Sequence, residues 1–236
     1  MLLGVNIDHI ATLRNARGGV EPDLIAAAKI CENVGVAAIT THLREDRRHI
    51  KDVDVYTLKK VLKTRLNLEM AMTDEMQKIA LEVMPSACCL VPEKRQELTT
   101  EGGLDVAGQL ERAIKFIKPL EDTGIAVSLF IDPNESQVLA ASKTGAQFIE
   151  FHTGQFSEAY GTENEEKEFE KLKSATILAQ SLGLKVNAGH GLNYDNVHRM
   201  KEIPGLIELN IGHSIISKAV FVGIEAAVRE MKESIG

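Results

Sequence analysis

The sequence predicts a (β/α)₈ barrel forming one domain over residues 1–236, and three observations lead there. Short apolar runs alternate with amphipathic stretches from end to end, the pattern of strands each followed by a covering helix. The length of 236 residues and hydrophobic content of 44% suit one barrel with an ample core. Most of the apolar runs end in polar, chemistry-bearing residues, as barrel strands do on the face where ligands bind.

In chain order, a first strand is expected at Leu2–Asp8. A helical stretch, Asp23–Val34, closes on Gly35 ahead of the strand Ala37–His42. Val55–Thr64 leads to Leu66–Met70, and Thr73-Asp74, with Glu75 and Gln77, marks a helix start for Asp74–Val83 before Ala87–Val91. Val106–Glu121, Glu135–Thr144 and Glu165–Leu182 read as helices. They are followed by Gly124, Gly145 and Gly183, at the position favoured for a left-handed cap. The strands Ala126–Ile131, Phe148–His152 and Leu184–Ala188 come next in each case. Asn193–Glu202, Leu206–Ile211 and Ala219–Glu233 complete the count of eight units. A doubly wound open sheet is the competing architecture. It would place a Gly-rich phosphate turn after the first strand, where Asn6-Ile7-Asp8-His9 has none. Two long connections, Glu93–Leu104 and Gly154–Glu165, fall on the strand-exit face, where such loops act as lids or carry function.

Composition narrows the function classes. A net charge of −7 lacks the basic field that nucleic acid requires, and the absence of Trp removes the best stacking platform. The 3 cysteines, Cys31, Cys88 and Cys89, match neither a disulfide framework nor a zinc spacing and read as packing residues in a reducing compartment. The first residues lack the basic region of a signal peptide, and no apolar stretch reaches the length of a membrane span. The expectation is a cytoplasmic protein with no nucleic-acid or membrane partner.

Thr41-His42-Leu43-Arg44-Glu45-Asp46-Arg47-Arg48-His49 is the most telling stretch. It puts imidazoles and guanidinium groups at the exit of a buried strand, and such a cluster in an acidic protein suits a small anionic ligand. Side chains two apart on a strand share a face. Asn6 with Asp8, Asn67 with Glu69, Glu150 with His152, Lys185 with Asn187 and Glu208 with Asn210 therefore form polar pairs. Each unpaired polar group buried costs roughly 2–7 kcal/mol. Pairs on so many strands point to a polar pocket rather than to isolated core polars. Glu69, in the run Leu66-Asn67-Leu68-Glu69-Met70, is either a structural carboxylate bonded to Lys185 or a proton carrier with a raised pKa. His42 and His190 end strands, and the latter reading is favoured for them too. Gly189-His190-Gly191 and Gly212-His213-Ser214 are small-residue turns opening helices after strands seven and eight, where barrels often bind phosphate. His9, His42, His49, His152, His190 and His213 all fall near strand ends, which raises the question of a metal. No His-x-His or His-x₃₋₅-His pair is present and arginines crowd the cluster, so no metal is expected. Lys185 lies too early in its strand for a Schiff-base aldolase.

Several motifs together resemble the pyridoxine 5′-phosphate synthase family, ring-closing enzymes of a vitamin B6 biosynthetic route. They are Val5-Asn6-Ile7-Asp8-His9-Ile10-Ala11-Thr12-Leu13-Arg14, His42 to His49, Asn67-Leu68-Glu69-Met70, Val91-Pro92-Glu93-Lys94-Arg95, Val186-Asn187-Ala188-Gly189-His190-Gly191 and Leu209-Asn210-Ile211-Gly212-His213. The likeness runs from Leu2 to the last helix, with Gln155–Glu170 outside any shared pattern. It implies a condensation of 1-deoxy-D-xylulose 5-phosphate with 3-amino-2-oxopropyl phosphate, without a cofactor, in a homo-oligomer that is an octamer. By position it implies His42 and Glu69 as proton acceptors, His190 as proton donor and Glu150 as a further polar contributor. Asn6, Gly191, Gly212 and His213 would hold the aminoketone phosphate with help from Arg17. Asp8, His9, Arg44, His49 and Thr99 would hold the deoxyxylulose phosphate. Two alternatives stay open on the residues alone: a metal-dependent sugar-phosphate epimerase or aldolase on the same barrel, and a non-catalytic phosphate-ligand binder.

Overall fold

Parallel strands with no turn tight enough to join neighbours must be linked by crossovers, and eight such units close on themselves here. The computed structural model describes residues 1–93 and 102–236. Its strands are β1 (Leu2–Asn6), β2 (Ala38–His42), β3 (Arg65–Met70), β4 (Ala87–Leu90), β5 (Ala126–Ile131), β6 (Phe148–His152), β7 (Lys185–Gly189) and β8 (Leu206–Ile211). They form a closed barrel in sequence order, β8 pairing in parallel with β1. The fold is thus the predicted (β/α)₈ barrel.

The helices are α1 (Asp8–Arg17), α2 (Leu24–Val34), α3 (Asp52–Val61), α4 (Asp74–Val83), α5 (Leu110–Asp122), α6 (Glu135–Ala141), α7 (Gly154–Ala159), α8 (Glu165–Ser181), α9 (His213–Val222) and α10 (Ile224–Ile235). Between strands and helices lies the main apolar layer, including Ile39, Leu68, Ile149, Val186 and Leu209 from the outer strand faces and Ala28, Leu58, Ile117 and Val228 from helices, all fully buried. Local chemistry sets the helix starts. Asp23 accepts the N–H groups of Ile25 and Ala26 at 2.8 and 3.1 Å, and Thr73 accepts that of Met76. Gly35, Gly124, Gly145 and Gly183 occupy the expected left-handed positions, with φ from +83° to +94°.

Four expected boundaries are corrected. The first strand stops at Asn6, because the Asn6 side-chain Oδ1 accepts the Asp8 N–H at 2.9 Å and turns the chain into α1; Asp8 is a helix residue, not a strand residue. The expected helix Val55–Thr64 is displaced to α3, which begins at Asp52 where Asp54 accepts the Lys51 N–H at 2.8 Å. The stretch Asn193–Glu202 yields only a 3₁₀ segment, Val197–Glu202. Asn193 and Asn196 bind each other's backbone N–H groups at 2.8 and 3.1 Å, which fixes a turn where a regular helix would begin. The last helix is divided into α9 and α10 by Gly223 at φ +83°.

Candidate active site

The barrel interior is hydrophilic, and its side chains satisfy one another in a chain that crosses strands. Asn67 on β3 donates to the Thr40 hydroxyl on β2, which donates to Asn210 Oδ1 on β8 at 2.9 Å. Asn210 Nδ2 in turn donates to Glu150 Oε2 on β6 at 2.6 Å. Gly4 and Gly189 make room for it: a Cβ on Gly4 would fall 2.1 Å from Asn210 Oδ1, and one on Gly189 would fall 2.4 Å from Glu150 Oε1. Nearer the strand entries Arg65 pairs with buried Glu208. Lys185, exposed, lays its ammonium over the Phe148 ring at 5.0 Å. Lys185 thus neither bonds Glu69 nor occupies the exit face. Ser128 Oγ and Asn187 Oδ1 are buried with no hydrogen-bond partner among the described residues, so the polar interior exceeds what the side chains here satisfy internally.

Toward the exit face, Asp8, His42 and Glu69 converge from α1, β2 and β3. One ligand-type atom from each lies within 4.8 Å of the others. Asp8 Oδ1 accepts the His42 N–H at 2.9 Å and the Thr41 hydroxyl at 3.2 Å, while Oδ2 accepts from Asn6 Nδ2 at 2.9 Å. His42 Nε2 stands 2.7 Å from Glu93 Oε1, and His42 Nδ1 lies 4.0 Å from Glu69 Oε2. Burial pushes Glu93 up, but the His42 hydrogen bond and the His42 and Arg44 charges outweigh it and leave the carboxyl below its usual range. An ionised Glu93 only accepts, so His42 Nε2 carries a hydrogen, and in the neutral ring the lone pair is on Nδ1, facing Glu69. Burial first, then the charges of Asp8 and Glu150, push Glu69 well above the ordinary carboxyl range, against a hydrogen bond from Asn6.

Spacing in sequence gave no hint of this three-element cluster, whose atoms are disposed as cation ligands would be. The donor set suits protons better. Asp8 is already tied to three protein donors, His42 is locked by Glu93, and Glu69 favours its neutral form. What the arrangement offers is an imidazole lone pair facing a carboxyl poised to hold or release a proton.

Around this centre lie basic groups. Arg44 is buried and approaches Asp46 at 3.4 Å. His49 accepts the Ile50 N–H on Nδ1 at 2.9 Å, leaving Nε2–H to donate outward. Its pKa is lowered by burial, with Asp8 acting in the opposite sense. The loop carrying both is anchored by α1: Arg14 grips Asp54 with two bonds of 2.7 and 2.8 Å, and Asn15 donates to the His49 carbonyl at 2.7 Å. His9 and His213 pack with their rings tilted by 59° and their centroids 4.9 Å apart at the start of α1 and α9. Burial and then His213 lower the His9 pKa. Gly212 passes against Asn6, a Cβ there falling 2.9 Å from the Asn6 Cβ. Gly191, at φ +81°, faces Ser157. Arg17 sits exposed in the last turn of α1. Thr99 and most of the expected lid Glu93–Leu104 lie outside the described residues. A cavity of about 550 Å³ opens at the exits of β3 and β4, lined by Thr73, Glu93, Gly103 and Arg112 among others.

His190 follows β7 with φ +77°, its ring centroid 4.9 Å from that of His152. Burial first and His152 second bring its pKa down to about 4. Burial, opposed by Asn210 and reinforced by Glu208, raises Glu150 to about 8. A carboxyl held above its usual 4.5 binds more protons folded than unfolded between those values. Its contribution therefore favours the fold at low pH and is lost as pH rises toward 8. Glu150→Gln should flatten the decline of thermal stability between pH 5 and pH 8; parent and variant melting with the same pH slope would refute this.

Sequence reasoning overlooked Glu93, Asp132 and the anchoring pair Arg14 and Asp54. Glu93 and Asp132 had a usable signal, each standing within two residues of the end of an apolar strand. The short helix α1 was missed because only the Asn6 side chain, not periodicity, announces it.

A closed β/α barrel with two carboxyls and two imidazoles at its polar centre defines an acid/base barrel enzyme. The chain belongs to the family described as "Pyridoxal phosphate biosynthesis protein PdxJ", whose model matches residues 3–236. It is 58% identical over 233 residues to the pyridoxine 5′-phosphate synthase of Geotalea uraniireducens (strain Rf4), covering 99% of this chain and 98% of that protein. The same name belongs to a protein of Synechococcus sp. (strain JA-2-3B'a(2-13)), 57% identical over 234 residues with 99% and 98% covered. Among solved structures, a 3-hexulose-6-phosphate synthase superposes with a TM-score of 0.68 at 15% identity, both chains covered to 100%. KGPDC from Streptococcus mutans does so at 0.66 and 16%, covering 99% of this chain and 96% of that one. These two share the fold.

Proposed function

We propose that the protein is a pyridoxine 5′-phosphate synthase that joins 1-deoxy-D-xylulose 5-phosphate to 3-amino-2-oxopropyl phosphate. The products are pyridoxine 5′-phosphate, inorganic phosphate and water. The observation that carries this, beyond the family, is the facing pair His42 Nδ1 and Glu69 Oε2 at 4.0 Å in a buried polar centre. Imine formation, enolisation, dehydration and ring closure are successive proton transfers, and the substrate supplies its own amine, so no enzymic lysine nucleophile is needed. Protein groups alone favour a protonated Glu69 and a neutral His190. An ammonium group beside Glu69 would release its proton and ready it as a base, while a phosphate beside His190 would favour the imidazolium that can donate. The two charges of the aminoketone thus prepare both residues for proton transfer.

The deoxyxylulose phosphate would lie against Arg44 and His49, with Asp8 and His9 toward the centre. The aminoketone phosphate would lie on the Gly191 and Gly212-His213 turns, with Asn6 toward the centre. Arg44→Lys should raise the Michaelis constant for deoxyxylulose phosphate more than that for the aminoketone, because an ammonium cannot reproduce a guanidinium's paired bonds to phosphate. Inorganic phosphate should shrink the difference by competing for the same donors. Two unchanged Michaelis constants would reduce Arg44 to a local partner of Asp46 and move this phosphate elsewhere. The proposal itself is tested by mixing the protein with both substrates and then with each alone. Pyridoxine-ring absorbance should develop only in the complete mixture, and its absence there would exclude the reaction.

No helix among the described residues is long and apolar enough to cross a membrane. A cytoplasmic homo-octamer is the assembly that the family suggests, and light scattering of the purified protein would measure it.

A further inference from the structure

His152 is buried on β6 beside His190, yet the acid/base assignments above leave it without a task. Its surroundings are tightly specified. Asp132, just past β5, lies with Oδ1 at 3.1 Å from His152 Nδ1 and accepts the Gly103 N–H on the same oxygen at 3.0 Å. The His152 contact comes first among the influences that bring Asp132 below the usual carboxylate range, and burial opposes it. An ionised carboxylate only accepts, so Nδ1 carries a hydrogen and Nε2 is the ring position turned away from Asp132.

Neither side of this contact has slack. A Cβ on Gly103 would fall 2.2 Å from the Asp132 backbone nitrogen, and a Cβ on Gly154 would fall 2.6 Å from His152 Nε2. Phe130 presses edge-on against the His152 ring at 5.3 Å and against His190 at 6.4 Å. Leu104 N–H meets the Phe130 carbonyl at 2.7 Å, holding the returning chain along the end of β5. Thr153 Oγ1 donates to the Gly189 carbonyl at 2.8 Å and to that of His190, binding the β6 exit to the β7 exit. Asp132 therefore sits where the chain returning at Gly103, the His152 ring and, through that ring, His190 meet.

We propose that Asp132 is a positioning residue that fixes the orientation and tautomer of His152, and through that ring the placement and charge state of His190. A carboxylate orienting one imidazole so that it can act on a second group is a recurrent arrangement. What is particular here is that the second group is another imidazole on the neighbouring strand exit. Among the described residues, the titratable group acting on His190 is His152, and those facing His152 are Asp132 and His190. His152 is thus the ring through which a change at Asp132 reaches His190, its centroid 4.9 Å away. This rests on the reading of His190 as an acid/base group, but its primary test does not.

Asp132→Asn keeps the shape and an oxygen for Gly103 while removing the charge. Nuclear magnetic resonance of ring-labelled histidines, with His190 assigned from His190→Gln, should show its midpoint moving from about 4 by roughly half a unit or more. Turnover should fall several-fold with the Michaelis constants little changed, and the acid limb of the kcat profile should move in the same direction as the midpoint. His152→Gln, which removes the ring outright, should raise the His190 midpoint and serves if the first variant does not fold. A His190 midpoint that stays in place in whichever variant folds, even with a lower melting temperature, would overturn the proposal and leave Asp132 as a purely structural tie. A shifted midpoint with unaltered turnover would instead support the positioning and count against His190 as a catalytic group.

Discussion

Glu69→Gln is expected to lower turnover by at least about 10²-fold while changing the affinity for either substrate little. The substitution keeps the length and planarity of the side chain and can still accept from Asn6, so the buried centre stays filled. What it loses is the ability to exchange a proton with His42 Nδ1, 4.0 Å away, or with a substrate between them. Calorimetry offers a second readout. Burial and the charges of Asp8 and Glu150 favour the protonated carboxyl, so binding of the amine-bearing substrate should expel more protons from the parent protein than from Glu69→Gln. Heats measured in buffers of different ionisation enthalpy give that number directly. Near-normal turnover in the variant would make Glu69 a structural core carboxylate.

Glu93→Gln should be nearly as damaging, about 10²-fold in turnover, although Glu93 bonds the far side of the ring. The carboxylate forces the hydrogen of His42 onto Nε2 and so leaves Nδ1 free to act. A Gln can turn its amide to donate to Nε2, which puts the hydrogen on Nδ1 and blocks the working lone pair. The second Glu93 oxygen accepts the Glu45 N–H at 3.0 Å, a bond that the Gln carbonyl oxygen can still make, so the loop carrying Arg44 should stay in place. Turnover should therefore fall with little change in the Michaelis constants. Equal losses of turnover and phosphate affinity would show that Glu93 matters for the loop rather than for the tautomer.

The barrel was legible because alternation of strand and helix survives in any register, and each left-handed glycine marks a helix end locally. The polar centre was legible for a related reason: pairs such as Glu208 with Asn210 break a strand's apolar run, and burying them demands partners. Lost from the sequence was who those partners are. Asn210 reaches Glu150 and Thr40 across 60 and 170 residues of chain, and no spacing rule encodes that. Glu93 and Asp132 were passed over on the same ground, each defined by the imidazole it meets from another strand. Short helices were lost as well, since α1 and α7 begin on side-chain and glycine geometry rather than on an apolar stripe.

The central claim is that groups of this chain alone carry out the proton transfers of ring closure. Its most direct test is a stoichiometry, taken on protein dialysed against chelator and supplied with both phosphorylated substrates. Pyridoxine 5′-phosphate and inorganic phosphate should appear in equal amounts at the rate of undialysed protein, and both should be lost together in Glu69→Gln. A dialysed protein that releases neither until a divalent ion is returned would contradict the account, and would give Asp8, His42 and Glu69 the role of cation ligands instead.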